Sequence, residues 1–154
     1  MNQMSSYHNL AKGTKSSVDK NTGASQSSTP KNEILIVDDD DLSRKLISRL
    51  VSKEFDYEIA TKANGIEALE YAREHIPCLI ILDLMLPGMN GFEILKKVRE
   101  DQIFDQTKVV LVSAKSRSED IERGFDLTAD EYITKPFQPK EFAARIRKLL
   151  TKAA

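Results

Sequence analysis

Short apolar blocks and helical stripes alternate along the chain. Ile34-Leu35-Ile36-Val37, Leu79-Ile80-Ile81-Leu82 and Val109-Val110-Leu111-Val112 are continuous apolar runs, the density expected of strands covered on both faces. Residues 131–134 form a weaker run of the same kind. Tyr57 to Thr61 alternates instead, with Tyr57 and Ile59 on one face and Glu58 on the other, which predicts a half-exposed edge strand. Between these blocks apolar residues recur at helical spacing: Leu42, Leu46, Ile47, Leu50 and Val51; Ile66, Ala68, Leu69 and Ala72; Phe92, Leu95 and Val98; Phe142, Ile146 and Leu149 or Leu150. The helix starts carry their own signals. Asp40 or Asp41 can accept from the free amides of the first helix. Asn64-Gly65 opens the second, which stops near His75 before Pro77. A loop with Pro87 and Gly88 precedes a helix from about Gly91 to Glu100. Ser116 and Glu119 have capping-box spacing for a fourth helix to about Asp126, and Pro139 suits the first position of the last.

This β-α alternation, repeated to five units, predicts an α/β fold: a five-stranded parallel sheet with helices on both faces. The order most often taken by five such units is 2-1-3-4-5, which opens a crevice above strands 1 and 3 at their carboxyl ends. Asp38 and Asp39 end strand 1, Asp83 ends strand 3, Ser113 ends strand 4 and Lys135 ends strand 5. Taken singly, each has an ordinary alternative. Asp83 reads equally as a helix cap, Lys135 as a solvated lysine and Ser113 as a strand-end hydroxyl. Capping accounts for one or two of the carboxylates from Asp38 to Asp41 and leaves Asp38 and Asp39 unexplained. Their convergence at one rim of the sheet favours chemistry.

Composition narrows the class. A chain of 154 residues with 40% hydrophobic and 31% charged positions suits one domain with a core and a soluble surface. Residues 1–31 carry four lysines and one aspartate, and the remainder has a net charge of −4. A mildly acidic globular part lacks the basic footprint of a nucleic-acid binder. The Ser/Thr/Lys-rich segment 1–31 has too few apolar residues to offset the entropy of ordering and is expected to be a disordered tail. Residues 32–151 form the domain and 152–154 its end. The single cysteine, Cys78, excludes an intramolecular disulfide, fits a reducing compartment and reads as a core thiol. No apolar run nears the ~20 residues of a membrane span, and no signal-peptide core opens the chain, so a cytoplasmic protein is expected. His8 falls in the tail and His75 at a helix end, where a solvated side chain is expected; neither has a metal-ligating neighbour.

The ordered set Asp38-Asp39, Asp83, the Pro87 to Gly91 loop, Ser113-Ala114 and Lys135-Pro136 resembles the receiver domain of two-component response regulators, over residues 32 to about 151. The resemblance implies a flavodoxin-like three-layer fold and a phosphoacceptor switch rather than a turnover enzyme. It implies Asp83 as phosphoacceptor, with Lys135 and Ser113 binding the phosphoryl oxygens. Mg²⁺ would be held by Asp39, Asp83, the backbone carbonyl of Met85 and, partly through water, Asp38. Ser113 and Tyr132 would form the switch, with Tyr132 turning into space vacated beside strand 4; simple packing is the alternative for Tyr132. A cis peptide is expected at Lys135-Pro136. Met85 and Lys115 stand where the family tunes acyl-phosphate lifetime, and Met85 offers no polar group to orient water, so slow self-hydrolysis is expected.

The resemblance also sets expectations for partners: a sensor histidine kinase or histidine phosphotransfer protein upstream, a protein target downstream, no direct contact with nucleic acid or membrane, and a monomer or weak dimer. Two departures stand out. Thr128 replaces a helix-ending glycine, and Ile121-Glu122 reverses the basic-apolar order that dimerising receivers carry on helix 4. Because the chain ends at Ala154, a stand-alone receiver or a piece of a longer protein is expected. A phosphorelay intermediate differs only in partner. A degenerate receiver acting as a binding platform would lack one of the five site residues, and all are present. A haloacid-dehalogenase-type phosphatase needs an acid two residues after its nucleophile, where Met85 stands.

Overall fold

The computed structural model describes residues 31–152; residues 1–30 of the expected tail, with His8, lie outside the described residues. The elements are β1 (Lys31–Val37), α1 (Asp41–Glu54), β2 (Glu58–Lys62), α2 (Gly65–His75), β3 (Pro77–Leu82), α3 (Gly91–Glu100), a 3-10 turn (Gln102–Phe104), β4 (Lys108–Ser113), α4 (Ser118–Asp126), β5 (Glu131–Thr134) and α5 (Pro139–Lys152). All strand pairs are parallel, in the order β2-β1-β3-β4-β5. This is the flavodoxin-like arrangement expected from the alternation.

Strand periodicity divides the core in two. Leu35, Val37, Ile80, Leu82, Val109 and Leu111 point to one face, where Ala68, Leu69 and Ala72 of α2 and Phe92, Leu95 and Val98 of α3 cover them. Ile34, Ile36, Leu79, Ile81, Val110 and Val112 point to the other, under Ile47 and Val51 of α1 and Phe142, Ile146 and Leu150 of α5. The central strands therefore have apolar cover on both sides, which is why they read as unbroken apolar runs.

Local signals place most helix ends where expected. Asp40 caps α1 by accepting from the Ser43 amide. Asn64 caps α2. Asn90 and Glu93 form a reciprocal capping box at α3.

The exceptions have physical causes. The Ser116–Glu119 capping box does not form: α4 begins at Ser118, with Arg117 at its cap and no side-chain cap bond. β2 lacks clean alternation, since Ile59 and Ala60 are both half-buried; Ile59 packs against the core layer under α1 and α5 and Ala60 against the layer under α2 and α3, so both faces of this edge strand are partly covered. Cys78 is half-buried rather than a core thiol. His75 is not freely solvated either. Its ring stacks on Tyr71 at 3.8 Å between centroids, and its Nδ1 lies 3.0 Å from the Tyr71 carbonyl. Lys31, assigned to the tail from composition, begins β1.

Candidate functional site

Backbone hydrogen bonds carry the sheet ladder one residue past the strands and so align the polar residues at its rim. The Asp38 amide donates to the Lys62 carbonyl at 3.1 Å, the Asp83 amide to the Val37 carbonyl at 2.9 Å, and the Lys135 amide to the Ser113 carbonyl at 2.9 Å. Asp38 and Asp83 are buried at 1% and 7% exposure, whereas Asp39 faces solvent. One carboxylate oxygen from each of the three lies within 4.8 Å of the others.

Asp38 is held from several sides. The Asp40 amide donates to its Oδ1 at 2.9 Å. The Ser43 hydroxyl donates to its Oδ2 at 2.6 Å, and Lys135 Nζ donates to the same oxygen at 2.9 Å. The Arg44 guanidinium donates to the Asp38 carbonyl at 2.7 Å. Asp83 accepts from the Met85 amide at 2.9 Å and from Lys135 Nζ at 3.1 Å. Lys135 thus bridges the two buried carboxylates across the β1–β3 crevice. The Lys135-Pro136 peptide is cis, as expected.

The electrostatics separate the carboxylates. Burial pushes Asp38 upward, but the Ser43 hydroxyl, the Lys135 ammonium and the Asp40 amide outweigh it and leave the group below the ordinary carboxylate value. At Asp83 burial wins over the Met85 amide and Lys135, with the charge of Asp38 adding to it, so Asp83 is raised. Burial opposes the charge on Lys135, yet the two aspartates hold it above the ordinary lysine value.

Two glycine-dependent turns shape the loop after Asp83. Gly88 adopts a φ of 78°, a region open chiefly to glycine. A Cβ at Gly91 would lie 2.5 Å from the Asp83 carbonyl oxygen, so only glycine lets α3 start against this backbone.

Ser113 is fully buried, and its Oγ accepts from the Lys115 amide at 3.2 Å. Tyr132 is already turned inward. It is 5% exposed, and its hydroxyl donates to the Lys115 carbonyl at 2.7 Å. Burial, with Asp120 and Asp83 nearby, pushes this phenol up to about 12. The Met85 side chain is 54% exposed at the mouth of the crevice, and Lys115 is exposed. The structure therefore brings Asp38, Asp39, Asp83, Lys135 and Ser113 to one end of the sheet, and holds Tyr132 one loop away through Lys115.

Ser43 and Arg44 were not singled out from the sequence. Their available signal was position in the first turn of α1, where side chains reach back toward the strand end. The donor set suits a hard divalent cation: carboxylate oxygens in close company, one of them exposed enough to share with water.

An open parallel sheet in this order, with carboxylates at its switch point and a lysine and a hydroxyl on the neighbouring strand ends, defines a CheY-like receiver fold. The chain belongs to the response regulator receiver domain family, which it matches over residues 34–147. It is 43% identical over 119 residues to the transcriptional regulatory protein SrrA of Staphylococcus aureus, an alignment covering 77% of this chain and 48% of the relative. The chain thus spans about half the length of the curated relatives it matches. A CheY-like receiver domain protein from Methanospirillum hungatei superposes with a TM-score of 0.73 at 28% identity, covering 81% of this chain and 97% of that one. The chemotaxis protein CheY4 of Vibrio cholerae gives 0.68 at 29% identity, covering 80% and 99%. SrrA's name as a transcriptional regulator stands against the expectation of no nucleic-acid contact. Among the described residues, no helix is long and apolar enough to cross a membrane.

Proposed function

We propose that Asp83 accepts a phosphoryl group from a phosphohistidine on a sensor histidine kinase or histidine phosphotransfer protein, and that residues 32–151 act as the cytoplasmic switch unit. The observation that carries this reading is Lys135 Nζ bridging Asp38 and Asp83 at 2.9 and 3.1 Å beside the third carboxylate. In the transfer, an Asp83 carboxylate oxygen bonds to phosphorus while the donor's N–P bond breaks, and the imidazole leaves with the electron pair. Positioning and charge neutralisation carry such a step. Asp39, Asp83, the Met85 carbonyl and, partly through water, Asp38 would hold Mg²⁺, which would supply the positive charge that lets a phosphoryl dianion enter an acidic crevice. Lys135 leaves the carboxylate pair for one phosphoryl oxygen, and the Ser113 hydroxyl donates to another. When Ser113 turns to do so it releases the Lys115 amide, which frees the loop whose carbonyl anchors Tyr132. The face of α4, β5 and α5 then changes shape for a downstream protein. Catalysis is limited to the domain's own phosphorylation and its reversal, which the apolar Met85 side chain keeps slow. The chain works as a monomer or weak dimer.

α1 offers the donor a place to dock. Leu42 and Leu46 are 76% and 51% exposed, and they line an open groove with Lys45, Arg49 and Ile59 beside the crevice. The presence of all five polar site residues favours phosphoacceptance over a passive platform.

Intact-mass analysis after incubation with a small acyl-phosphate donor tests the reading. A single phosphoryl adduct is expected on the wild type with Mg²⁺, and none with chelator or in Asp83→Asn. An unmodified wild type that is folded and binds Mg²⁺ removes Asp83 as the acceptor.

A further inference from the structure

Asp38 Oδ2 takes two donors, the Ser43 hydroxyl at 2.6 Å and Lys135 Nζ at 2.9 Å. The first sits on the opening turn of α1 and the second at the end of β5. Only one of them is free to leave. Lys135 is a long side chain with Asp83 as its second partner. Ser43 is short and lies on a helix fixed at its own end by Asp40, which accepts from the Ser43 amide at 3.1 Å. The adjacent Arg44 fastens the same turn to the Asp38 carbonyl at 2.7 Å and to Asp41 Oδ1 at 2.7 Å.

Resting on the metal and phosphoryl reading above, we infer that Ser43 is a positioning residue for the cation site: its hydroxyl fixes the Asp38 carboxylate plane and keeps Oδ2 satisfied when Lys135 departs for the phosphoryl group. The argument is one of satisfaction. Asp38 is 1% exposed, so bulk solvent does not freely make up for a lost donor, and a buried carboxylate oxygen without a partner is costly. With Ser43 in place, Asp38 presents the same orientation whether Lys135 is on the carboxylates or on the substrate. Without it, Oδ2 is held by the long Lys135 side chain alone, which fixes the carboxylate plane poorly even before any phosphoryl group arrives, and once Lys135 moves the Asp40 amide on Oδ1 is the remaining protein donor. Outer hydrogen-bond partners of this kind orient the groups that hold a cation and tune its affinity.

The test uses the full chain and Mg²⁺ alone, with no phosphodonor, so that its readout is independent of phosphorylation. Calorimetric titration is run on the wild type, Ser43→Ala and Ser43→Thr, and a melt in chelator confirms that each variant is folded. Ser43→Ala is expected to weaken Mg²⁺ binding about tenfold, and Ser43→Thr, which restores the hydroxyl, to return to within about twofold of the wild type. The same loss is expected in an Asp83→Asn background, because the role runs through Asp38. Unchanged affinity in Ser43→Ala overturns the inference, as does a threonine variant as weak as the alanine one, which would make the effect steric. A wild type that takes up no Mg²⁺ fails differently: it removes the metal reading itself, and this role with it.

Discussion

Asp38 and Asp83 are carboxylates of one crevice displaced in opposite directions, and the cause is visible in their partners. Asp38 has a hydroxyl, an amide and an ammonium to offset its burial; Asp83 has an amide and a shared ammonium, and faces the charge of Asp38. The consequences for stability are opposite in sign. The contribution of Asp38, lowered on folding, is present above the ordinary value of 3.8 and is lost as pH falls through its lowered value. Asp83, raised on folding, favours the folded state fully below 3.8, and that contribution is lost as pH rises through its raised value. In chelator at neutral pH, Asp83→Asn is therefore expected to melt higher than the wild type, with the difference closing as pH falls toward 3.8. A variant that melts lower at neutral pH, or a difference that widens in acid, contradicts this. At this scale the sequence was informative wherever a residue ended a strand, because the ladder fixes where such side chains go. It was silent on Ser43, whose role depends on α1 folding back over Asp38. α2 stops at His75 before Pro77 as expected, and Ile76 closes it with a φ of 46°. Thr128, noted as standing where a glycine is usual, does adopt a left-handed φ of 67°. It is fastened there by Arg99, which donates to its carbonyl at 3.0 Å and to Asp130 at 2.7 Å.

Elements with strong local signals formed where expected, and α4 shows what overrides such signals. Ser116 and Glu119 have the right spacing, but the loop before α4 is held from outside. Ser113 Oγ binds the Lys115 amide and Tyr132 its carbonyl, which carries the chain past Ser116 before the helix starts. Gly124 seats the helix on the Tyr132 ring; a Cβ there would approach Tyr132 Cδ2 to 3.1 Å and Leu111 Cδ1 to 2.8 Å. α4 is thus packed on the residue that the loop anchors, so loop and helix should move together. α1 differs, since its inner side is bound into the site and its outer side is open. Replacing Leu42 and Leu46 together by aspartate leaves the core untouched, because both are exposed. Phosphotransfer from a phosphorylated histidine kinase that serves this chain is expected to fall about tenfold or more, the cost of losing an apolar anchor. Phosphorylation by a small acyl phosphate, which needs no docking surface, should stay unchanged. A parallel loss with both donors would move these leucines from docking to the site.

The molecule as a whole separates what makes it fold from what makes it bind. The two apolar layers on either side of the sheet do not include Asp38, Asp39, Asp83, Ser113 or Lys135, and they were readable in advance because buried parallel strands leave unbroken apolar runs. The crevice gathers three carboxylates at the rim of that sheet with Lys135 as the ammonium that bridges two of them, so a divalent cation there adds charge neutralisation that the side chains do not complete by themselves. A cation that binds only the folded chain must then stabilise the whole domain, by RT ln(1 + [L]/Kd), or about 2.7 kcal/mol at a hundredfold excess over Kd. Denaturant titrations with saturating Mg²⁺ and with chelator are expected to differ by that amount for the wild type. The gap should shrink sharply in Asp39→Asn, whose exposed carboxylate has little part in the fold and, on the proposed reading, would hold the cation directly. Na⁺ at matched ionic strength separates screening from binding, since surface screening responds to both ions. If Na⁺ reproduces the shift, the carboxylates repel one another as a diffuse patch and no specific site exists. If Mg²⁺ alone produces it and Asp39→Asn abolishes it, the stability of the domain is linked to the cation through these carboxylates.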